Sequence, residues 1–405
     1  MLNAQGEREL AYLVKVDEIN ELPGYDRVES ARVGGWRCIV PKGQFAPGTI
    51  GVYFEIDSLV PADNPAFAFM EKRNYKVKSQ KMCKSISQGL LMHPMDFGWV
   101  TDEISGVIKN GNKIYTLDNE SKFLTAELGV KYADAADNVR KAPDVDKYKR
   151  MARRMGKKAS KNPYRWLLKR NWGKKLLFLF YGKQVKKTDW PQWVSKTDEE
   201  RIQNQVWRFA NPAEKTWTVT EKIDGTSTTF TMKRGGDLLV CSRNVVFNKP
   251  DKKCFYDTNV YTEMAVKYNI EEVLKTILKK DKKLAFVTIQ GETYGDGVQK
   301  RNYSIKGHDF AAFNLILGYK GKQPIRLCPT EMCHFLSEYG IPVVPILETN
   351  FTLPATCDDM LAYAEGNSKL DGLPREGVVL RSEEDGCSPD SFKAVSNKFL
   401  LKYHG

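Results

Sequence analysis

The chain has 405 residues, 41% hydrophobic and 11% aromatic, which is typical of a globular protein long enough for two or more domains. Its net charge of +13 and pI near 9.1 favour an anionic partner, most often nucleic acid, although a basic soluble protein without such a partner fits as well. The eight cysteines form no CxxC pair, the N-terminus lacks a signal peptide's features, and no apolar run could span a membrane. We therefore expect free thiols and a cytoplasmic protein (nuclear in a eukaryotic host), neither secreted nor in a membrane.

Residues 1–125 contain short alternating runs separated by turns, at 10–16, 28–33, 36–40 and 50–56. This spacing predicts a small all-β barrel or sandwich. An OB-fold barrel fits the size, and many OB folds bind oligonucleotides. A structural β-module without a ligand fits the pattern too.

Residues 126–187 differ sharply in composition, with many lysines and arginines, interleaved aromatics, and an apolar segment at 176–180. That segment is too short to cross a membrane. We interpret the region as a partly helical basic linker or insertion that strengthens electrostatic attraction to nucleic acid. A tether docked on the second domain is the alternative.

The opening of the second domain, at about 188–204, predicts a helix. Ser195 or Thr197 would cap it, and three acidic residues at 198–200 would lie at the positive end of its dipole. Arg201 is either an ordinary surface arginine or a phosphate ligand. A second helix is predicted at about 262–278.

A strand, a turn and a second strand follow one another at 217–231, with Lys222 at the end of the first strand. One interpretation of Lys222 is an exposed cation on a sheet edge. The other is a covalent nucleophile, which must be neutral to attack and so needs burial or nearby positive charge to lower its pKa. Gly225 would let backbone approach a nucleotide closely.

Three acidic residues each stand beside a glycine: Asp224 in the turn, Glu292 within a predicted strand, and Glu376 at the start of another. Carboxylates so placed suit a hydrated Mg²⁺ held against phosphates. Lysines at both ends of the domain suit the charge that develops during phosphoryl transfer.

The order of these segments resembles the covalent nucleotidyltransferases, namely ATP-dependent ligases and mRNA capping enzymes. Six motifs match in order: K-x-D-G at 222–225, S-R at 242–243, G-E at 291–292, an aromatic strand at 310–314, E-G and two hydrophobics at 376–379, and a strand around Lys393.

DNA ligases and capping enzymes carry an OB domain after the last motif, whereas here only a few residues follow it. Residues 36–43, 52–58 and 196–204 resemble the RNA ligases with an N-terminal OB module. The resemblance implies an α+β protein: an OB-like β-barrel at 1–125, the basic linker at 126–187, and a nucleotidyltransferase (adenylylation) domain at 188–405 with antiparallel sheets and flanking helices.

Carried over by motif, Lys222 is the nucleophile that forms lysyl-AMP from ATP. Asp224, Glu292 and Glu376 hold Mg²⁺ or Mn²⁺, mostly through water. Glu221, which precedes the nucleophile, counts among the ATP-binding residues.

The resemblance also assigns Arg243 to the ribose or phosphate edge, Lys393 to the α-phosphate, and Phe313 to adenine, with Phe310 as its alternative. Arg201 is assigned to the β- and γ-phosphates by its position in the opening segment.

Related ligases often end with two lysines one residue apart. Val395 stands at the second of these positions, and Lys398 is the candidate replacement for that cation.

The resemblance implies an ATP-dependent RNA ligase that joins 3′-hydroxyl and 5′-phosphate ends, acting in RNA repair as a monomer. Nicked duplexes and RNA–DNA hybrids are among its candidate substrates. The rivals are a DNA ligase or guanylyltransferase, and a non-catalytic RNA-binding protein on a ligase scaffold.

Overall fold

The computed structural model describes residues 1, 3, 8–102, 106–133, 161–170, 172–173, 177, 190–195, 198–243, 245–247, 259–384, 386 and 389–404. Contacts divide the chain into two units, Met1–Tyr132 with Trp190–Gly405, and Ala133–Asp189. Within the described ranges, no helix is both long and apolar enough to cross a membrane. The six described cysteines are free thiols, as expected.

The N-terminal part of the first unit consists of short strands, as the alternating runs predicted. They are β1 (Ala11–Lys15), β2 (Glu18–Leu22), β3 (Tyr25–Val33), β4 (Trp36–Pro41), β5 (Ile50–Phe54), β6 (Ser58–Leu59), β7 (Gln80–Met82), β8 (Ser85–Ser87), β9 (Leu90–Met92), β10 (Val100–Asp102), β11 (Val107–Asn110), β12 (Lys113–Thr116) and β13 (Lys131–Tyr132). They form three-stranded antiparallel sheets in the orders β1-β5-β9, β2-β3-β4 and β10-β11-β12, with β6 paired to β13 and β7 to β8. The 3-10 helices here are Pro65–Arg73, Pro94–Phe97 and Asn119–Lys122.

The C-terminal part contains two antiparallel sheets. Its strands are β14 (Trp217–Lys222), β15 (Thr226–Lys233), β16 (Leu239–Cys241), β17 (Val246–Phe247), β18 (Leu284–Gly295), β19 (His308–Tyr319), β20 (Ile325–Arg326), β21 (Ile346–Phe351), β22 (Gly377–Arg381) and β23 (Ser391–Val395). One sheet has the order β21-β14-β22-β23, and the other has the order β17-β16-β15-β18-β19-β20.

The helices are short. They are α1 (Tyr164–Leu168), which lies in the second unit, and α2 (Val260–Lys267), α3 (Ile270–Lys280), α4 (Pro329–Ser337), α5 (Cys357–Ala364) and α6 (Asn397–Phe399) in the first. The 3-10 helices Ile202–Asn204, Val206–Ala210 and Pro212–Glu214 precede β14, and a π-helix, Leu400–His404, follows α6. The helix predicted at 262–278 is in fact two, because Asn269 adopts a left-handed backbone (φ +45°) between α2 and α3.

Hydrophobic residues cover one face of each large sheet. The six-stranded sheet packs Phe230, Val287 and Phe310 against helices α2, α3 and α4. The four-stranded sheet packs Trp217 and Leu380 against α5 and its neighbours. Each sheet therefore has its own core.

A third cluster joins the N-terminal strands to the end of β23. Tyr12, Trp36 and Tyr53 pack there with Val395 and Leu400. The N-terminal module is thus part of the surroundings of the last motif strand.

The helix predicted at 198–204 is wrong for its first turn. Ser195 begins no helix, Thr197 lies outside the described residues, and 198–200 have no regular structure before the 3-10 helix Ile202–Asn204. The segment runs alongside β23 instead, with the Lys393 amide donating to the Glu200 carbonyl (2.8 Å). Asp198 and Glu199 form ion pairs with Lys393 and Arg381, contacts that outweigh the helix dipole because each involves a full charge.

Candidate active site

Lys222 ends β14, the strand between β21 and β22 in the four-stranded sheet. Its register partner on β22 is Gly377. Glu376 directly precedes that glycine, and its carboxylate lies 2.7 Å from the Lys222 amine. Pairing of the two strands therefore brings two motifs together that are more than 150 residues apart in sequence.

The turn after Lys222 carries the chain from the four-stranded to the six-stranded sheet. The Asp224 amide donates to the Tyr303 hydroxyl (2.5 Å). A Cβ on Gly225 would lie 2.4 Å from the Thr293 carbonyl oxygen and 2.8 Å from Cγ of Glu292. Gly225 is thus required by close packing onto β18.

We call Asp224, Glu292 and Glu376 the carboxylate cluster. Burial, with repulsion from the neighbouring carboxylates, raises the pKa of Asp224 to about 7 and that of Glu292 to about 8. Within the described ranges, no three acidic, histidine or cysteine side chains are arranged to hold a metal ion directly. The cluster has one lysine for three acids, so it would favour a further cation, reached through water.

Lys222 itself departs from the sequence-based expectation. Burial acts to lower the pKa of its amine, but attraction from Glu376, Glu292 and Asp224 outweighs burial and raises that pKa. Among the protein's own charges the amine is therefore protonated, whereas a nucleophile must be neutral.

A second cluster has the opposite sign. The Asp198 carboxylate lies 3.0 Å from the Lys393 amine, 3.0 Å from the Arg243 guanidinium and 3.9 Å from that of Arg8. We call Lys393, Arg243 and Arg8 the cation cluster. Burial alone would raise the pKa of Asp198, but these cations hold it well below its usual range. Burial lowers the pKa of Lys393 to about 8, although Asp198 opposes that shift.

The backbone of Arg201 pairs with that of Lys393 in a parallel β-bridge. Arg201 also lines the same cavity as Arg8 and Asp198. Its side chain is buried, and its Nε and Nη1 atoms have no hydrogen-bond partner in the part of the chain that the structure describes. Its nearest carboxylate, Asp57, is 4.0 Å away. Donors left unsatisfied at a cavity wall are suited to an anionic ligand.

Phe313 is the extra residue of a β-bulge. The register between β18 and β19 jumps from Gln290–Asn314 to Gly291–Ala312. A bulge turns a side chain away from the regular pattern, and the half-buried Phe313 ring packs against the hydrophobic cluster that contains Ile223, the residue after Lys222.

Phe310, the alternative for adenine stacking, is fully buried in the core of the six-stranded sheet and packs edge-to-face with Phe230. Its ring fills the space where a Cβ of Gly291 would lie, at 2.3 Å. Phe310 is therefore a core residue, and Phe313 keeps the stacking assignment.

Glu221 lies next to Lys222 but makes different contacts. Its carboxylate is buried and accepts a hydrogen bond from the Lys369 amide at 2.8 Å. Burial raises its pKa. These contacts involve neither of the two clusters.

The structure does not bring Lys398 to the cation cluster. Its side chain is 77% exposed and pairs with Glu365 at 2.8 Å, because the chain leaves β23 after Val395 and turns into α6. Val395, only 1% exposed, belongs to the hydrophobic cluster shared with the N-terminal strands. The cations beside Lys393 are instead Arg8 and Arg201.

Sequence reasoning missed Asp198 and Arg8. Asp198 was interpreted as a helix-dipole residue, although an acid three residues before a candidate phosphate-binding arginine was a usable signal. Arg8 is an isolated arginine near the N-terminus, and no local pattern distinguishes it.

Comparison with known proteins agrees with this geometry. Residues 215–403 match the RNA ligase family model, and residues 10–95 match an OB-fold domain. No curated protein sequence matches the chain.

Solved structures of an RNA ligase from Naegleria gruberi share the fold. The form with pyrophosphate is 24% identical with a TM-score of 0.70, over 98% of this chain and 99% of that one. A mutant with ATP and manganese is 24% identical with a TM-score of 0.69 over the same shares. An apo mutant is 25% identical with a TM-score of 0.70, again over 98% and 99%.

These matches confirm the predicted α+β fold, with an OB module before a ligase domain. They also confirm the predicted enzyme class. Residues 215–403 thus form a domain of the RNA ligase family.

Proposed function

We propose that the chain is an ATP-dependent RNA ligase that seals 3′-hydroxyl and 5′-phosphate ends through lysyl-AMP and an RNA adenylate. The observation that carries this proposal is the position of Lys222. It lies in contact with the carboxylate cluster and close enough to Lys393 to lower the pKa of that lysine. A nucleophile, a cation-binding group and an anion-binding group are thus close together.

In the first step, the Lys222 amine attacks the α-phosphorus of ATP, a P–N bond forms, and pyrophosphate leaves. The amine must first lose a proton, and the Glu376 carboxylate is the acceptor in contact with it at 2.7 Å. Lys393 and Arg243 balance the charge that develops on the α-phosphate. Arg201 takes the β- and γ-phosphates, where its unpaired donors face departing pyrophosphate.

A divalent cation fits the carboxylate cluster, because its charge would relieve the repulsion among the three carboxylates that helps to raise the pKa values of Asp224 and Glu292. Bound through water, Mg²⁺ or Mn²⁺ would offset the negative charge that raises the pKa of Lys222. The Naegleria ligase was solved with ATP and manganese and with AMP and manganese, which supports both ligands here.

Phe313 stacks on adenine. Glu221 acts on nucleotide binding indirectly, because its carboxylate accepts a hydrogen bond from the Lys369 amide and so holds the loop that contains Lys369. In the second step, a 5′-phosphate oxygen attacks the adenylate phosphorus and Lys222 leaves as the amine. In the third, a 3′-hydroxyl attacks the activated 5′-phosphate, the phosphodiester forms and AMP leaves.

We further propose that the enzyme acts in RNA repair as a monomer, in the cytoplasm or nucleus, and that nicked duplexes and RNA–DNA hybrids are among its substrates. We also propose that the chain divides at the predicted boundaries into three parts, 1–125, 126–187 and 188–405.

The test is incubation with α-labelled ATP and Mg²⁺, followed by denaturing electrophoresis. The parent should retain label after denaturation, Lys222→Ala should retain none, and the control Lys398→Ala should match the parent. Bound AMP is first removed with pyrophosphate.

Failure of the parent to retain label would refute the covalent step and favour a non-catalytic RNA-binding protein. Labelling by GTP in preference to ATP would favour a guanylyltransferase. Sealing of DNA but not RNA ends would favour a DNA ligase.

A further inference from the structure

The positive charge of the chain is concentrated in one stretch. Residues 147–188 contain 16 lysines and arginines and no aspartate or glutamate. Because the net charge of the whole chain is +13, the net charge of the chain outside this stretch is −3. The ligase and OB domains therefore supply little net attraction for a polyanion, and the stretch lies outside both family matches.

Part of this stretch is described, in the second unit. Helix α1 and the residues beside it hold four exposed cations: Lys161, Arg165, Lys169 and Arg170. Arg165 and Lys169 are four residues apart, a spacing at which like charges on a helix repel. Because the stretch contains no acid, an external polyanion is the natural counter-charge.

Two tryptophans lie among these cations. Trp166 is 49% exposed and Trp172 is 55% exposed, and their rings meet edge-to-face at 5.7 Å. The Arg170 guanidinium lies 3.7 Å from the centre of the Trp166 ring, as the i, i+4 spacing allows. Large aromatic side chains are usually buried in the protein core, so an exposed pair of them indicates a binding surface.

We propose that Trp166, Trp172 and the four cations around them form a binding surface for single-stranded RNA, separate from the active site. Phosphates pair with the cations, and unpaired bases stack on the tryptophans. Bases of a duplex stack on one another and are not open to side chains, so the aromatic pair favours single strands. This inference rests on the proposed function, because it assumes that RNA is the substrate of the ligase.

Binding at this surface would raise the local concentration of RNA ends at the active site of the same chain. Lysyl-AMP formation needs no RNA, so it should not depend on the surface. That separation makes the proposal testable apart from catalysis.

The experiment uses the full chain and a labelled single-stranded oligouridylate with a 5′-phosphate. We expect W166A/W172A to weaken binding by about tenfold or more, with lysyl-AMP formation within twofold of the parent. The matched control is Trp207→Ala, an exposed tryptophan in the other unit (65% exposed), which should bind like the parent.

A second variant tests the charges. Replacing Lys161, Arg165, Lys169 and Arg170 by Gln should lower the slope of log affinity against log salt by about 2 to 3. Replacing four exposed lysines of the other unit, Lys279, Lys280, Lys282 and Lys283, should leave the slope unchanged.

Three outcomes would overturn the proposal. One is W166A/W172A binding single strands like the parent. Another is a blunt RNA duplex that binds the parent as tightly and loses as much affinity in that variant. The third is loss of binding to anionic phospholipid vesicles with RNA binding intact, which would indicate a membrane surface. If the parent forms no lysyl-AMP yet binds RNA as expected, the proposed function fails while this surface stands.

Discussion

Two clusters of opposite sign lie close together, the carboxylate cluster within the ligase domain and the cation cluster where Arg8 of the N-terminal module meets that domain. In the carboxylate cluster three acids surround Lys222, and in the cation cluster three cations surround Asp198. The two differ in how pH acts on them. Asp224 and Glu292 have pKa values of about 7 and 8, so the carboxylate cluster changes charge near neutrality. The cation cluster contains two arginines, which stay charged, and Lys393 alone titrates, at about 8.

Because of this difference, a change of pH near neutrality alters the net charge of the carboxylate cluster more than that of the cation cluster. The comparison also suggests why each cluster contains one ion of the other sign. Lys222 limits the repulsion among the carboxylates, and Asp198 limits the repulsion among the cations. We expect a divalent cation and the ATP phosphates to replace these contacts when they bind.

The largest effect should come from the cation cluster. Lys393→Gln removes the buried charge assigned to the α-phosphate, while Arg243 and Arg8 still neutralise Asp198. We expect the single-turnover rate of lysyl-AMP formation to fall about 100- to 1000-fold, with the melting temperature showing that the variant folds. A rate near that of the parent would remove Lys393 from the phosphate site.

The next effect concerns pH and the carboxylate cluster. Protons compete with a divalent cation for Asp224 and Glu292, whose raised pKa values keep both partly protonated at pH 6.5. Affinity for Mn²⁺ should therefore rise about 10- to 100-fold between pH 6.5 and 8.5. Calorimetric titration measures it.

Glu292→Gln is the control for that titration. It removes the group with the pKa near 8, so the rise should shrink to a few-fold, set by Asp224 alone. An unchanged pH dependence would mean that Glu292 does not face the metal.

A smaller effect is expected from Asp198→Asn. Without this carboxylate, the ATP phosphates no longer compete with it for the three cations of the cation cluster. KM for ATP at pH 6.5 should therefore fall about threefold. The pKa of Lys393 should also drop further. Because Lys393 must stay protonated, the alkaline fall in rate should move about one pH unit lower. Asp198→Glu keeps the charge and should show neither change; equal behaviour of the two variants would contradict the prediction.

The smallest effect is expected at Lys398, which lies outside both clusters. Its exposed pair with Glu365 contributes little, so Lys398→Ala should leave ATP binding and sealing within about twofold. A tenfold loss of sealing would reopen its assignment as the second motif cation.

The sequence predicted the parts of the site that depend on strand ends. Lys222 ends β14 before a turn and Glu376 directly precedes β22, as the local pattern predicted, whereas Glu292 lies within β18 and its role came from the family resemblance. The bulge at Phe313 was not predictable, because it depends on the register between β18 and β19.

Contacts between distant segments were the other failure. Asp198 was placed in a helix because its neighbours are also acidic, yet pairing with β23 and with Lys393 determines its conformation. Arg8 reaches the same carboxylate from the other end of the chain. Neither contact has a local signature, since each joins segments far apart in the sequence, and the contact of Arg8 forms only when the N-terminal module packs on the ligase domain.

The hydrophobic cluster around Val395 has a consequence for dissecting the enzyme. Tyr12, Trp36 and Tyr53 cover Val395, which is two residues beyond Lys393 on β23, and Leu400, which begins the π-helix after α6. A fragment beginning at Trp190 would keep Lys222 and all three carboxylates, but it would expose this apolar patch and lack Arg8. We expect such a fragment to aggregate or to unfold at lower denaturant concentration, so the two domains act as one cooperative folding unit.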